Sequence, residues 1–196
     1  MTARQTKDQR RAQLLAGALT EFIERGFHGA STRSITAAAG ISSGLLFHYF
    51  PSKEAIYEEL LQIGSAEFDA DPAVAVADPP AFLRSVAEQV LGLLRDTPRA
   101  SAMFTFMARA ERQPGVSERA DEILARNDVL RVLVPCIEAG QRAGTVRPGD
   151  PRALALAFWS ALQGLAEAAG TTPDAPLPEA EWLLAIVLTP GEGGGR

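Results

Sequence analysis

The chain has 196 residues, 46% hydrophobic and 22% charged, with a formal net charge of −5. That length supports a sizeable core, and no apolar run reaches the about 20 residues that a bilayer-spanning helix needs. The net acidity excludes a protein coated over its whole surface in nucleic acid, and a single cysteine, Cys136, excludes an internal disulfide or a cysteine metal cluster. The basic start, "MTARQTKDQRRAQ", has no apolar segment after it, so a signal peptide is not expected and a cytoplasmic location is. Residues 1–53 hold seven basic and three acidic side chains, whereas residues 54–196 hold 12 basic and 21 acidic ones. A basic head on an acidic body predicts that only the head meets a polyanion.

The chain reads as all-α, with about nine helices, because no long stretch alternates apolar and polar residues. The first helix is predicted from Thr6 to Gly26, with Leu15, Ala18, Leu19, Phe22 and Ile23 as its apolar stripe. Thr32 then offers an N-cap for a short helix to Ala39, with Ile35, Ala38 and Ala39 facing inward. Gly40 suits a sharp turn, and Ser42 caps a second short helix that Pro51 stops after Phe50. Ser52 caps a longer helix from Lys53. The segment "DADPAVAVADPP", residues 69–80, reads as a loop. Helices follow over 80–95, 98–113, 117–143, 151–170 and 178–189, with Asp150-Pro151 as a cap followed by proline at the first helical position. Pro135 is expected to kink or break the helix that contains it, since it cannot bond the Arg131 carbonyl. The glycine-rich end, 190–196, reads as a flexible tail.

Two short helices joined by a glycine-containing turn describe a helix-turn-helix, whose second helix enters the DNA major groove. Ala37, Ala38 and Ala39 let its helices approach closely, and Ile35, Ile41, Leu46 and Phe50 form the wedge between them. The stretch from Thr32 to Ile56, T-x-x-I-x-x-A-A-G-I-S-S-G-L-L-F-H-Y-F-P-S-K-E-A-I, resembles the DNA-binding domain of the TetR family of bacterial transcriptional regulators. The resemblance implies a helix-turn-helix domain over 1–52 and a helical ligand-binding and dimerisation domain over 53–196. It places Ser43, Gly44 and Leu45 where base edges are read, with Ser42 capping that helix. Leu45 offers only apolar contact, and Phe47, at a position where a tyrosine is frequent, lacks the hydroxyl. Thr32, His48, Tyr49 and Lys53 match phosphate-bonding positions, and Arg33 matches a position that reaches a guanine in some relatives. Arg4, Lys7, Arg10 and Arg11 either touch the DNA backbone or form a solvated basic end.

For the body, Phe68, Phe82, Met103, Phe104, Met107, Cys136 and Phe158 are either plain core or the lining of an apolar ligand cavity, and the resemblance favours the cavity. The thiol of Cys136 reads as buried and inert. Trp159, Gln163 and Ala166 with Trp182 and Ile186 form apolar faces that predict a homodimer. The expected partners are a double-stranded DNA operator, a small-molecule effector and a second copy of the chain; no membrane, cofactor, metal or catalytic residue is expected. A regulator that only dimerises, without a small ligand, is the competing reading. An all-helical enzyme is disfavoured, since both histidines, His28 and His48, lie in the head and no phosphate loop or metal motif is present.

Overall fold

The computed structural model describes residues 3–66, 71–96, 99–172 and 175–190. Phe68 and most of the expected tail at 190–196 therefore lie outside the described residues. Eleven helices occur among the described residues: α1 (Ala3–Gly29), α2 (Thr32–Ala38), α3 (Ser43–Leu46), α4 (Lys53–Ala66), α5 (Pro72–Ala77), α6 (Pro79–Asp96), α7 (Ala100–Arg112), α8 (Glu118–Arg126), α9 (Leu130–Arg142), α10 (Pro151–Thr171) and α11 (Ala180–Leu184).

Three departures from the pattern expected of the sequence have plain causes. The segment expected as a loop contains α5, because Asp71 caps the Ala73 amide at 2.8 Å ahead of Pro72. This is the same cap-and-proline signal that starts α10, where Asp150 accepts from Ala153 N at 2.8 Å. The long helix expected over 117–143 is interrupted at Asn127–Val129, not at Pro135. Asn127 ends α8 with bonds to Ile123 O and Leu124 O, and Asp128 Oδ1 then accepts from Leu130 N at 3.0 Å; α9 runs on through Pro135. The last helix is only five residues long, because the chain turns and Leu188 forms an isolated antiparallel bridge with Val146.

By packing, the chain divides into two compact units. Unit 1 holds Met1–Glu67 and Ala102–Asn127; unit 2 holds Phe68–Ser101 and Asp128–Arg196. This division differs from the boundary expected after residue 52, since α4, α8 and most of α7 belong with the head. The core of unit 1 runs from Leu14, Ala18, Leu19 and Phe22 of α1 through Ile35, Leu46 and Phe50 to Ile56 and Leu60 of α4 and Phe106 and Met107 of α7. The rings of Phe22, Phe27, Tyr57 and Phe106 meet with centroids 5.1–6.2 Å apart, mostly edge to face, as aromatic quadrupoles prefer. Burial, with the negative charge of Asp121, pushes the Tyr57 phenol up to about 12. Gly64 of α4 admits α7: a Cβ there would sit 2.6 Å from Met107 Sδ.

In unit 2, α6, α9 and α10 bury Leu83, Val90, Leu133, Ile137, Phe158 and Leu162. Cys136 is fully buried with Sγ 3.9 Å from Pro79 O, and burial pushes its thiol up to about 12, in keeping with an inert core residue. An ion pair between Arg84 and Glu181 joins α6 to α11 at the surface. The apolar stripe of α10 is Ala155, Phe158, Trp159, Leu162 and Ala166. Trp159 and Ala166 are thus core, not the free face expected of them, because they repeat at helical spacing with Phe158 and Leu162. On α10 and α11, Leu156, 51% exposed, and Trp182, 68% exposed, are left in solvent, as Val74 and Val76 are on α5, with Gln163 and Ile186 half-buried.

A close approach to backbone lies between α1 and α2. A Cβ on Gly17 would lie 2.8 Å from Ala39 N and 2.9 Å from Ile35 O, both backbone atoms that cannot rotate aside. Gly17→Ala is expected to destabilise the folded chain by about 1–3 kcal/mol, the usual cost of overpacking. Equilibrium urea unfolding measures this; an unchanged midpoint would show that the helices separate freely.

Candidate nucleic-acid interface

The interface is built on a helix, a turn and one further helical turn. Ser31 is the N-cap of α2, in place of the expected Thr32, and it forms a reciprocal capping box: Ser34 N donates to Ser31 Oγ and Ser31 N donates to Ser34 Oγ, each at 3.0 Å. Thr32 becomes the first helical residue, half-buried, and Arg33 beside it is exposed. The helix ends in a Schellman motif. Gly40, at φ 66°, donates to Ala37 O at 3.1 Å, and Ile41 N donates to Thr36 O at 2.9 Å. Ile41 is thereby turned into the core. Ala37 and Ala38 face solvent, so only Ala39 makes a close approach, and it does so toward Gly17 of α1.

The recognition segment is shorter as a helix than expected. After the single turn of α3 the chain continues with His48 N bonded to Leu45 O at 3.2 Å and Tyr49 N to Leu46 O at 2.9 Å. These are three-residue spacings of a tighter coil, and Phe50 N then returns to Leu46 O at 3.0 Å. Gly44, the aromatic run and Pro51 all lower helix propensity here. Leu46 and Phe50 are buried and anchor the segment. Leu45 and Tyr49 pack partly against the same core, so Leu45 is part anchor and not a free reading residue. Gly44, Phe47 and His48 face outward, and Phe47 is 60% exposed. The backbone of Ser43 lies in the first turn, and Ser42 is exposed with no side-chain cap bond, leaving its hydroxyl available.

Gly44 has no internal reason to be glycine. Its φ is not positive, and an added Cβ would meet nothing within 4 Å. A glycine in a helix costs up to about 1 kcal/mol against alanine.

Lys53, expected to bond a phosphate, turns its side chain onto the protein's own backbone. Its ammonium donates to Phe27 O at 2.6 Å and Ala30 O at 2.9 Å, and lies 4.1 Å from the centroid of the Phe27 ring. Arg11 is likewise engaged, in a two-pronged ion pair with Glu59 of α4 and 4.9 Å above the Phe50 ring. Lys7 and Arg10 remain exposed. At the start of α4, Ser52 Oγ accepts from Ala55 N at 3.2 Å. The Glu54 carboxyl is held below its usual value by its own backbone N–H, then by Ser52 and Lys53. Two residues that shape the head, Gly17 and Ser31, do not stand out in the sequence; the S-x-x-S spacing of Ser31 and Ser34 is the available signal for the second.

The expected pocket residues are divided between the two units. Met103, Phe104 and Met107 fall in unit 1, where Met103 and Met107 border Gly64, while Phe82, Cys136 and Phe158 fall in unit 2. A cleft of about 930 Å³ within unit 1 is lined by others, among them Phe27, Tyr57, Phe106, Arg109 and Arg112. Among the described residues, no group of three or more histidine, cysteine or carboxylate side chains could hold a metal ion, and no helix is long and apolar enough to cross a membrane.

A capped helix, a Schellman turn and a short outward-facing segment anchored by Leu46 and Phe50 define a helix-turn-helix regulator. Residues 14–60 match the family of bacterial regulatory proteins described as tetR. The chain is 31% identical over 161 residues to the HTH-type transcriptional regulator RutR of Escherichia coli (strain K12), covering 79% of this chain and 72% of that protein. It is 48% identical over 56 residues to the HTH-type transcriptional repressor KstR2 of Rhodococcus jostii (strain RHA1), covering 29% and 28% of the two chains. In fold it is similar to AibR, solved in complex with isovaleryl coenzyme A and operator DNA, with a TM-score of 0.63 at 21% identity over 90% of this chain and 94% of that one. The chain belongs to the TetR family of transcriptional regulators.

If Gly44 is glycine for the sake of an external partner, Gly44→Ala stabilises the free protein by about 0.5–1 kcal/mol while weakening its hold on DNA. Thermal unfolding and DNA titration of the same variant test the two halves, and a variant both more stable and equally tight would remove Gly44 from the contact surface.

Proposed function

We propose that the chain represses transcription as a homodimer on a two-fold-related operator and is released by a small apolar or amphipathic molecule bound in its helical body. The outward face of Gly44, Phe47 and His48 carries the DNA reading. A glycine that the fold does not require and a phenylalanine ring left in water both make sense against a base edge or sugar. Arg33, Thr32, Ser42, Ser43 and Tyr49 flank that face as backbone and base contacts, with Leu45 contributing at its edge. The functional division we assign, a DNA head over 1–52 and an effector and dimer body over 53–196, is one of role and not of packing. The similarity to KstR2, a repressor, supports the sign, and the complex of AibR with both a coenzyme A ester and operator DNA supports a small effector.

The dimer face is assigned to α10, α11 and the turn that follows α11, around Leu156, Gln163, Trp182 and Ile186. Two large apolar side chains more than half exposed on packed neighbouring helices are the kind of surface that a second copy covers. Leu156→Arg and Trp182→Arg are each expected to give a folded monomer, because an unpaired charge buried at an interface core costs several kcal/mol. Sedimentation velocity reads the outcome, and dimers surviving both substitutions would place the interface elsewhere.

Selection from random-sequence duplexes tests the DNA reading directly. It should enrich two half-sites about one helical turn apart, the spacing that two heads on one face of the duplex require. No enrichment over the starting pool would sink the proposal. An effector that binds the free protein should lower operator affinity by roughly 5- to 150-fold, and operator should lower effector affinity by the same factor.

A further inference from the structure

The ammonium of Lys53 does something that the DNA reading does not use. It is the first residue of α4, where a cation is disfavoured by the helix dipole, yet its side chain turns back onto the corner between α1 and α2. Two local events leave unpaired carbonyls at that corner. Gly26, at φ 68° and ψ 173°, interrupts α1 just before its last turn. The capping box then diverts two amides. Ser31 N, which would continue the helical ladder onto Phe27 O, donates to Ser34 Oγ, and Ser34 N, which would serve Ala30 O, donates to Ser31 Oγ. The carbonyls of Phe27 and Ala30 are the two that Lys53 takes, at 2.6 and 2.9 Å. The Phe27 ring, 4.1 Å from the ammonium, closes the cage with its negative face. A third group repeats the theme: Arg109 of α7 donates to Ile23 O, on the other side of the break.

We infer that Lys53 is a positioning residue for DNA recognition. It supplies the two hydrogen bonds that the Ser31–Ser34 box withdraws from the α1–α2 corner. In doing so it fixes that corner to the start of α4 and sets the pose in which the recognition segment meets the groove. Two of its three N–H groups are committed to carbonyls, so a phosphate is not its principal partner. This inference rests on the DNA-binding reading.

Lys53→Met keeps the aliphatic stem over Phe27 and removes the ammonium. On a selected operator the variant should lose affinity several-fold while its affinity for random duplex holds, and its dependence of log affinity on log salt should keep the wild-type slope. A lysine bound to phosphate would behave differently: specific and random binding would weaken alike and the slope would fall by about 0.9 for each phosphate no longer neutralised, which overturns the inference. A lowered melting temperature with both affinities unchanged would reduce Lys53 to fold support, and also overturns it. The wild-type protein gives a readout that needs no variant. The chain has only two lysines, Lys7 and Lys53, so their ammonium signals are readily assigned in ¹⁵N-lysine spectra. The Lys53 signal should be ring-current shifted and slow to exchange in the free protein, and should stay in place when operator is added. Loss of that protection on binding, or a scalar coupling to DNA phosphorus, would assign the group to the backbone of the duplex and overturn the inference. Wild-type protein that bound no duplex would instead sink the DNA-binding reading itself, a result distinct from each of these.

Discussion

The absence of a side chain at Gly17 governs the geometry of the head. With backbone atoms of α2 less than 3 Å from where a Cβ would stand, α1 and α2 meet main chain to main chain. That contact leaves no slack for the wedge of Ile35, Ile41, Leu46 and Phe50, all buried, that sets the direction of α3. Interiors this dense do not deform continuously, so the outward face of the recognition segment is held by a stack of contacts that begins one helix away from it.

The second constraint is the way α4 is bound to the rest of unit 1. Lys53 holds its first turn to the α1–α2 corner, Glu59 pairs with Arg11 of α1, and Glu58 accepts from Ser117 Oγ at the start of α8 at 2.7 Å. Ile56 and Tyr57 lie in the aromatic and aliphatic core between these ties. The helix is therefore anchored by charge on two sides and by packing along its length. A movement of α4 would have to carry the corner with it or break a charged hydrogen bond.

Much of the head is legible in the sequence, because its signals are local. Gly40 and Ser52 each act through a neighbour within a few residues, and the apolar spacing of Leu46 and Phe50 marks an anchor wherever the chain goes. Charge destinations are not legible. Lys53 and Arg11 are alike, in sequence, to any basic residue near a DNA-binding motif; their partners Phe27, Ala30 and Glu59 lie 23 to 48 positions away. The body is harder for a related reason. Apolar periodicity identifies a buried stripe but not which of two stripes is buried, so Trp159 and Ala166 read as a free face and are core. The break at Asn127–Val129 is masked by the stronger signal of Pro135, although a proline in a helix lets the chain continue when the surrounding packing holds it. Aromatic and methionine content alone marks the candidate pocket residues, and it does not distinguish the Met107 that packs on Gly64 from a side chain lining a cavity.

Cys136 has a practical consequence. It is the sole thiol in the chain, fully buried in α9 of unit 2, and its proton is held so firmly that essentially no thiolate exists near neutral pH. An alkylating reagent can modify it only when the surrounding packing opens. The rate of labelling is then a clock for opening of the packing around that residue. The protein thus carries a native sensor of motion in its body, placed where no engineered probe would be needed.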